Sequence, residues 1–67
     1  MLPISNRVRE EREARGLTQS QLGDIVGLTR QTIAAIEQRR YAPSLEIAFR
    51  MARLFGVPLD QLFTWEE

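Results

Sequence analysis

Thr18-Gln19-Ser20-Gln21-Leu22-Gly23-Asp24-Ile25-Val26-Gly27-Leu28-Thr29-Arg30-Gln31-Thr32-Ile33-Ala34-Ala35-Ile36-Glu37-Gln38 is the stretch from which the fold can be read. Two apolar-periodic segments here are separated only by Gly27-Leu28-Thr29. The first, Gln19 to Val26, has Thr18 placed to cap it and Gln21 placed to complete a capping box, with Leu22, Ile25 and Val26 facing inward. The second runs from Arg30 to about Gln38, with Thr29 as its cap and Ile33 and Ile36 on one side. A three-residue connection containing glycine forces two helices to cross steeply. Such a crossing needs a small residue at the contact, and Gly23 supplies it, while Leu28, Ile33 and Ile36 fill the angle from the other side. The start of the second helix then projects outward. Free N–H groups and the helix dipole at that end favour phosphate oxygens.

The same punctuation extends in both directions. Ser5 or Asn6 can cap a first helix that runs to about Arg15 and stops at Gly16, with Val8, Arg12 and Arg15 on one face. After the central pair, Pro43 disfavours helix in the residue before it, so Arg39-Arg40-Tyr41-Ala42-Pro43 reads as a loop. Ser44 caps a fourth helix, Leu45 to Phe55, whose apolar stripe is Leu45, Ala48, Met51, Ala52 and Phe55; Gly56 ends it. Pro58 is compatible with the start of a short fifth helix over Leu59 to Phe63. The fold class is therefore all-α with five helices. Leu2 to Ile4 and Thr64 to Glu66 are extended segments that can pair with each other or across a dimer.

Sixty-seven residues are expected to form one domain spanning 1–67, since a chain this short buries only roughly 60% of its unfolded surface and cannot divide that core. Without Cys or His there is no disulfide framework, Cys/His metal site or His-based triad, and neither a catalytic constellation nor a cofactor site is expected. No effector or small-molecule pocket is visible. No apolar run approaches the ~20 residues that span a bilayer, so no membrane association is expected. Met1 to Ser5 does not have the charged start and long apolar stretch of a signal peptide, which points to the cytoplasm.

The formal net charge is zero, but its distribution is uneven. Arg30, Arg39 and Arg40 cluster with only Glu37 among them, whereas Asp60, Glu66 and Glu67 collect at the far end without a basic partner. All nine basic residues are arginine, the side chain suited to bidentate contacts with phosphate or guanine, although genome base composition accounts for that equally well.

Taken in register, Gly16-Leu17-Thr18-Gln19, Leu22-Gly23, Val26-Gly27, Thr29-Arg30-Gln31-Thr32-Ile33, Ile36-Glu37 and Pro43-Ser44-Leu45 resemble the Cro/C1-type (XRE-like) helix-turn-helix family of phage repressors and small bacterial regulators. The resemblance covers essentially the whole chain. Its tail, Pro58 to Trp65, looks most like very small dimeric regulators of the cytolysin-repressor type. The resemblance implies a lambda-repressor-like DNA-binding domain and a sequence-specific regulator, a repressor binding an inverted-repeat operator in double-stranded DNA as a homodimer. The alternative is an antitoxin or co-regulator that acts mainly through another protein.

Matching positions imply particular roles. Arg30, Gln31, Thr32 and Ala35 fall where base contacts are made in the major groove; Gln19, Thr29, Gln38, Arg39, Arg40 and Tyr41 fall where phosphates are met. The chemistry agrees, since Arg pairs with guanine, Gln with adenine, and Thr or Ala methyls meet the thymine methyl. Tyr41 can instead pack its ring under the loop. Arg12 and Glu37 match a structural ion pair between the first and third helices. Leu2, Ile4, Leu54, Phe63 and Trp65 are expected to form the dimer interface, because a core this small leaves apolar surface uncovered. The sequence departs from the family pattern in two places. Glu11 stands where relatives often carry an apolar residue, so the first helix is expected to be held more by charge pairing, and Arg39 stands where relatives often end the recognition helix with glycine.

Overall fold

A computed structural model describes residues 1–66; Glu67, one of the acidic residues at the chain end, lies outside the described residues. The order is β1 (Ile4–Asn6), α1 (Val8–Ala14), α2 (Gln19–Val26), α3 (Arg30–Glu37), α4 (Leu45–Phe55), α5 (Leu59–Leu62) and β2 (Phe63–Trp65). Among the described residues, four of the five helices begin where a side-chain acceptor satisfies a free N–H group of the first turn; α5, which follows Pro58, has no such cap. Thr18 Oγ1 accepts from the Gln21 N–H at 3.0 Å, and Gln21 Oε1 accepts from the Thr18 N–H at 2.8 Å. Thr29 and Ser44 accept from Thr32 and Ile47 in the same way. Asn6 serves α1 from two residues ahead, its Oδ1 accepting from the Val8 N–H at 3.1 Å, while Ser5 lies within β1.

The extended ends pair with each other: β1 and β2 are antiparallel, with Ile4 opposite Trp65, Ser5 opposite Thr64 and Asn6 opposite Phe63. Relative to the sequence expectation both strands are shifted, and Phe63 leaves the fifth helix to start β2. Val8, Leu22, Val26, Ile33, Ile36, Met51, Ala52, Phe55 and Leu62 form the core, so every helix contributes to one cluster. Leu28, Ile47, Val57, Leu59 and Phe63 pack against it.

Two residues assigned inward by periodicity are exposed. Ile25 is 53% exposed because Leu22, Gly23 and Val26 already occupy the buried face of a two-turn helix. Leu45 is 67% exposed because, in the first turn of α4, it projects beyond Ala48 onto the rim of a surface groove. Arg15 is also exposed. Its Nη1 meets Glu11 Oε1 at 2.8 Å, its Nη2 donates to the Phe55 carbonyl, and its guanidinium lies 4.9 Å from the Phe55 ring centroid. The Glu11 pair stays within the first helix and its cap, and it is the Arg15 hydrogen bond and cation–π contact with Phe55 that tie α1 to α4. Among the described residues no helix is long and apolar enough to cross a membrane.

Candidate nucleic-acid interface

The crossing of α2 and α3 is set at Gly23. A Cβ there would collide with the Leu28 carbonyl oxygen and come within 3.3 Å of the Leu28 carbonyl carbon, so the connection presses directly on α2. The Gly23 carbonyl in turn accepts from both Gly27 and Leu28 N–H at 2.8 Å, with Gly27 in the left-handed region at φ 84°. This close turn holds Ile33 and Ile36 in the core and leaves the opposite side of α3 to solvent.

Arg30 and Gln31 are exposed in the first turn of α3; Thr32 and Ala35 are half-buried beside them. Thr29 is exposed and does double duty, capping Thr32 N–H at 3.2 Å with its hydroxyl 3.0 Å from that of Thr32. Four arginines, Arg9, Arg12, Arg15 and Arg50, have carboxylates within salt-bridge distance. Among the described residues Arg30 and Arg40 have none. Arg7, Arg39 and Arg53 have none among them either, but Arg30 and Arg40 are the two exposed ones at the start of α3 and just past its end, where they can meet an external anion, whereas Arg9, Arg12, Arg15 and Arg50 are partly neutralised at home.

Behind the exposed face lies a buried polar knot. Arg12 Nε donates to Glu37 Oε2 at 2.7 Å and Arg12 Nη2 to Glu37 Oε1 at 3.2 Å, and Arg12 Nη1 donates to the Leu17 carbonyl at 2.8 Å. The hydrogen bond to Glu37 raises the Arg12 pKa above its ordinary value; burial opposes this, and the charges of Glu37 and Glu13 add to it. Gln19 Nε2 also donates to Glu37 Oε1, at 3.1 Å. The first residue of α2 is thereby held against the last residue of α3, half-buried at the edge of the exposed face.

Past α3 the chain turns through Gln38, Arg39 and Arg40. Arg39 N–H donates to the Ile36 carbonyl at 3.0 Å and Arg40 N–H to the Ala35 carbonyl at 2.9 Å, the paired bonds of a Schellman turn. Arg39 occupies its left-handed position at φ 60°, where glycine is usual. The Arg39 Nη2 donates to the Leu2 carbonyl at 2.8 Å and its Nε is buried without a partner, so this guanidinium braces the N-terminal segment. Gln38 and Arg40 are exposed, and Tyr41 is 50% exposed, neither tucked under the loop nor fully free.

The expected dimer residues divide. Ile4, Phe63 and Trp65 line one groove of about 600 Å³, together with Ala42, Pro43, Leu45, Ala48, Phe49 and Leu59. Leu2 and Leu54 do not reach it: Leu2 is bound to Arg39 through both its N–H and its carbonyl, and Leu54 lies about half a turn around α4 from Leu45. Two kinds of residue escaped the sequence reading. Phe49, 48% exposed, looked like one more apolar residue of α4, and Asn6 looked only like a helix cap, although its Nδ2 reaches the Ile36 carbonyl at 2.8 Å.

Residues 8–62 match the helix-turn-helix family. An uncharacterised HTH-type transcriptional regulator of Methanothermobacter thermautotrophicus is 55% identical over 61 residues, covering 90% of this chain and 88% of that one. Another, of Methanocaldococcus jannaschii, is 41% identical over 64 residues, covering 96% and 97%. Among solved structures, the P22 c2 repressor in complex with a synthetic operator superposes with a TM-score of 0.76 at 24% identity, over 81% of this chain and 82% of that one, a likeness of fold. With its five helices and its short two-stranded sheet, the chain has the lambda-repressor-like architecture. It belongs to the Cro/C1-type helix-turn-helix family of DNA-binding transcriptional regulators, which are not enzymes.

Proposed function

We propose that residues 1–67 act as one unit, a cytoplasmic repressor that binds an inverted-repeat operator as a homodimer and blocks transcription by occupancy. The observation that carries this reading is the exposed start of α3, where Arg30 and Gln31 stand clear of the globule next to Thr32 and Ala35. In the major groove these four would touch base edges, while Gln19, Thr29, Gln38, Arg39, Arg40 and Tyr41 would follow the phosphates. Gln19 reaches its place already oriented by Glu37.

A second copy is the proposed occupant of the apolar groove. Leu45, Phe49 and Trp65 are 67%, 48% and 64% exposed around it, an apolar cost that a symmetric partner would remove. Size agrees with the task. The molecule extends 31 Å along its longest axis, so equivalent points in two copies can be separated by about the 34 Å of one DNA turn. Ala42 and Pro43 on the groove wall continue directly from Arg40 and Tyr41, which would bring both phosphate-following loops near the two-fold axis.

Selection of bound duplexes from a random pool tests the whole reading; an inverted repeat with half-sites about one turn apart is the expected product. Arg30→Ala and Gln31→Ala are expected to relax preference at particular base pairs by about 1–3 kcal/mol, whereas Arg40→Ala weakens all sequences alike and lowers the salt slope by about one. Unchanged operator choice in both α3 variants would remove α3 from base reading. Association that ignores salt and enriches no sequence would transfer the function to a protein partner, as in an antitoxin or co-regulator.

Trp65→Glu is expected to halve the mass measured by sedimentation and to depress operator affinity by at least tenfold, because two linked half-sites bind far more tightly than one. A dimer that survives this change would move the seam elsewhere.

A further inference from the structure

Asn6 connects elements that are distant in sequence. Its Oδ1 accepts from Val8 N–H at 3.1 Å, and its Nδ2 donates to the Ile36 carbonyl at 2.8 Å. That carbonyl already accepts from Arg39 N–H, so Asn6 takes the second lone pair at the closing turn of α3. Farther along the same N-terminal segment, Leu2 N–H donates to the Arg39 carbonyl at 2.9 Å and the Leu2 carbonyl accepts from Arg39 Nη2 at 2.8 Å. The exit of α3 is therefore fastened by side chain and backbone to β1 and the residues before it. In the sheet, Asn6 stands opposite Phe63 and Ile4 opposite Trp65, and Ile4, Phe63 and Trp65 all line the groove.

We propose that Asn6 is a positioning residue for base reading, fixing the angle of α3 against the β-ribbon and so against the groove face of the molecule. The inference rests on the reading that α3 contacts bases. Its physical basis is leverage. Arg30 lies six residues from Ile36, about 9 Å along the helix at 1.5 Å per residue, so a tilt of about 10° at the exit displaces Arg30 by roughly 1.5 Å. Hydrogen bonds to base edges do not survive displacements of that size, whereas phosphate contacts made by flexible arginines adjust.

Asn6→Asp separates this role from simple helix capping. Aspartate keeps an acceptor for Val8 N–H and is an equally good residue at a helix start, but its carboxylate cannot donate to the Ile36 carbonyl and opposes it. The measurement is affinity of the full chain for its selected operator and for a scrambled duplex of equal length at one salt concentration, alongside circular dichroism and sedimentation. The expected result is a folded Asn6→Asp protein of unchanged mass whose operator affinity falls about tenfold while scrambled-duplex affinity moves less than about twofold. Asn6→Ser, with a hydroxyl that can still accept from Val8 but is too short for Ile36, should behave likewise and serves if the aspartate variant does not fold. An operator-to-scrambled ratio kept by either folded variant overturns the proposal, and so does loss of fold in both, which would make Asn6 a purely structural residue. A wild-type ratio near one would instead overturn the base-reading assignment beneath it.

Discussion

Gly23→Ala is expected to lower the thermal midpoint by roughly 10–20 °C and to abolish operator binding at temperatures where the wild type is fully active. The methyl group would have to share space with the Leu28 carbonyl oxygen, with the Leu28 and Thr29 carbonyl carbons 3.3 and 3.4 Å away. All three are backbone atoms, so no side chain can swing aside. Relief requires the turn itself to open, and the two 2.8 Å bonds that the Gly23 carbonyl accepts from Gly27 and Leu28 depend on that turn staying closed. Overpacking of this kind costs about 3 kcal/mol or more, and alanine's better helix propensity offsets only about 1 of it. For a domain whose total stability is on the order of 5 kcal/mol, the remainder is a large fraction. Gly27→Ala is the control: it is strained by its φ of 84° but meets no atom within 4 Å, and should cost about 1 kcal/mol. Circular dichroism melts of the two variants should therefore separate clearly. Equal melts would mean that α2 and α3 do not cross at Gly23 as tightly as described, and the outward projection of Arg30 and Gln31 would lose its cause.

Such a local cause is what made much of the molecule legible from sequence. Thr18, Thr29 and Ser44 cap within three residues of themselves, and Gly27 and Gly56 stop helices by their own φ, so α2 and α4 have the bounds their sequence predicts. The exposure of Arg30 and Gln31 followed because Ile33 and Ile36 define the buried side of α3 and leave those two on the other. What periodicity does not contain is which flank of a helix a neighbour covers. Ile25 and Leu45 have the right spacing for burial, yet three-dimensional packing leaves one in solvent and the other on a groove rim. The same gap hid the groove, whose walls come from β1, the loop before α4, α4 itself, α5 and β2. Arg39 and Asn6 were obscured by sequence distance, since their partners lie 37 and 30 positions away and neither side chain carries a local pattern that announces a long-range hydrogen bond. Arg39 reads from sequence as a phosphate-facing charge, and its contact with the Leu2 carbonyl emerges only in three dimensions.

Arg12→Ala is expected to cost about 3–5 kcal/mol, while the double replacement Arg12→Met with Glu37→Leu should cost much less than the sum of its parts. The two side chains are only 10% and 4% exposed, so their ion pair survives by excellent geometry: two bonds between guanidinium and carboxylate and a third to the Leu17 carbonyl. Removing the arginine leaves a buried carboxylate with Gln19 as its remaining donor in the structure, and an uncompensated buried charge is far more expensive than an apolar pair of similar volume. Alkaline pH cannot substitute for the mutation. The raised Arg12 pKa means that its stabilisation is present below the unfolded value and is lost only as pH climbs past the still higher folded one, beyond any useful range. Denaturant titration of the two single variants and the double variant gives the coupling directly; additive losses would show that Arg12 and Glu37 act independently despite their contact. The double variant also separates folding from function. With Glu37 gone, Gln19 has lost the acceptor that orients it, so a protein that unfolds near the wild-type denaturant concentration should still bind its operator more weakly, through freedom restored to the residue that opens α2.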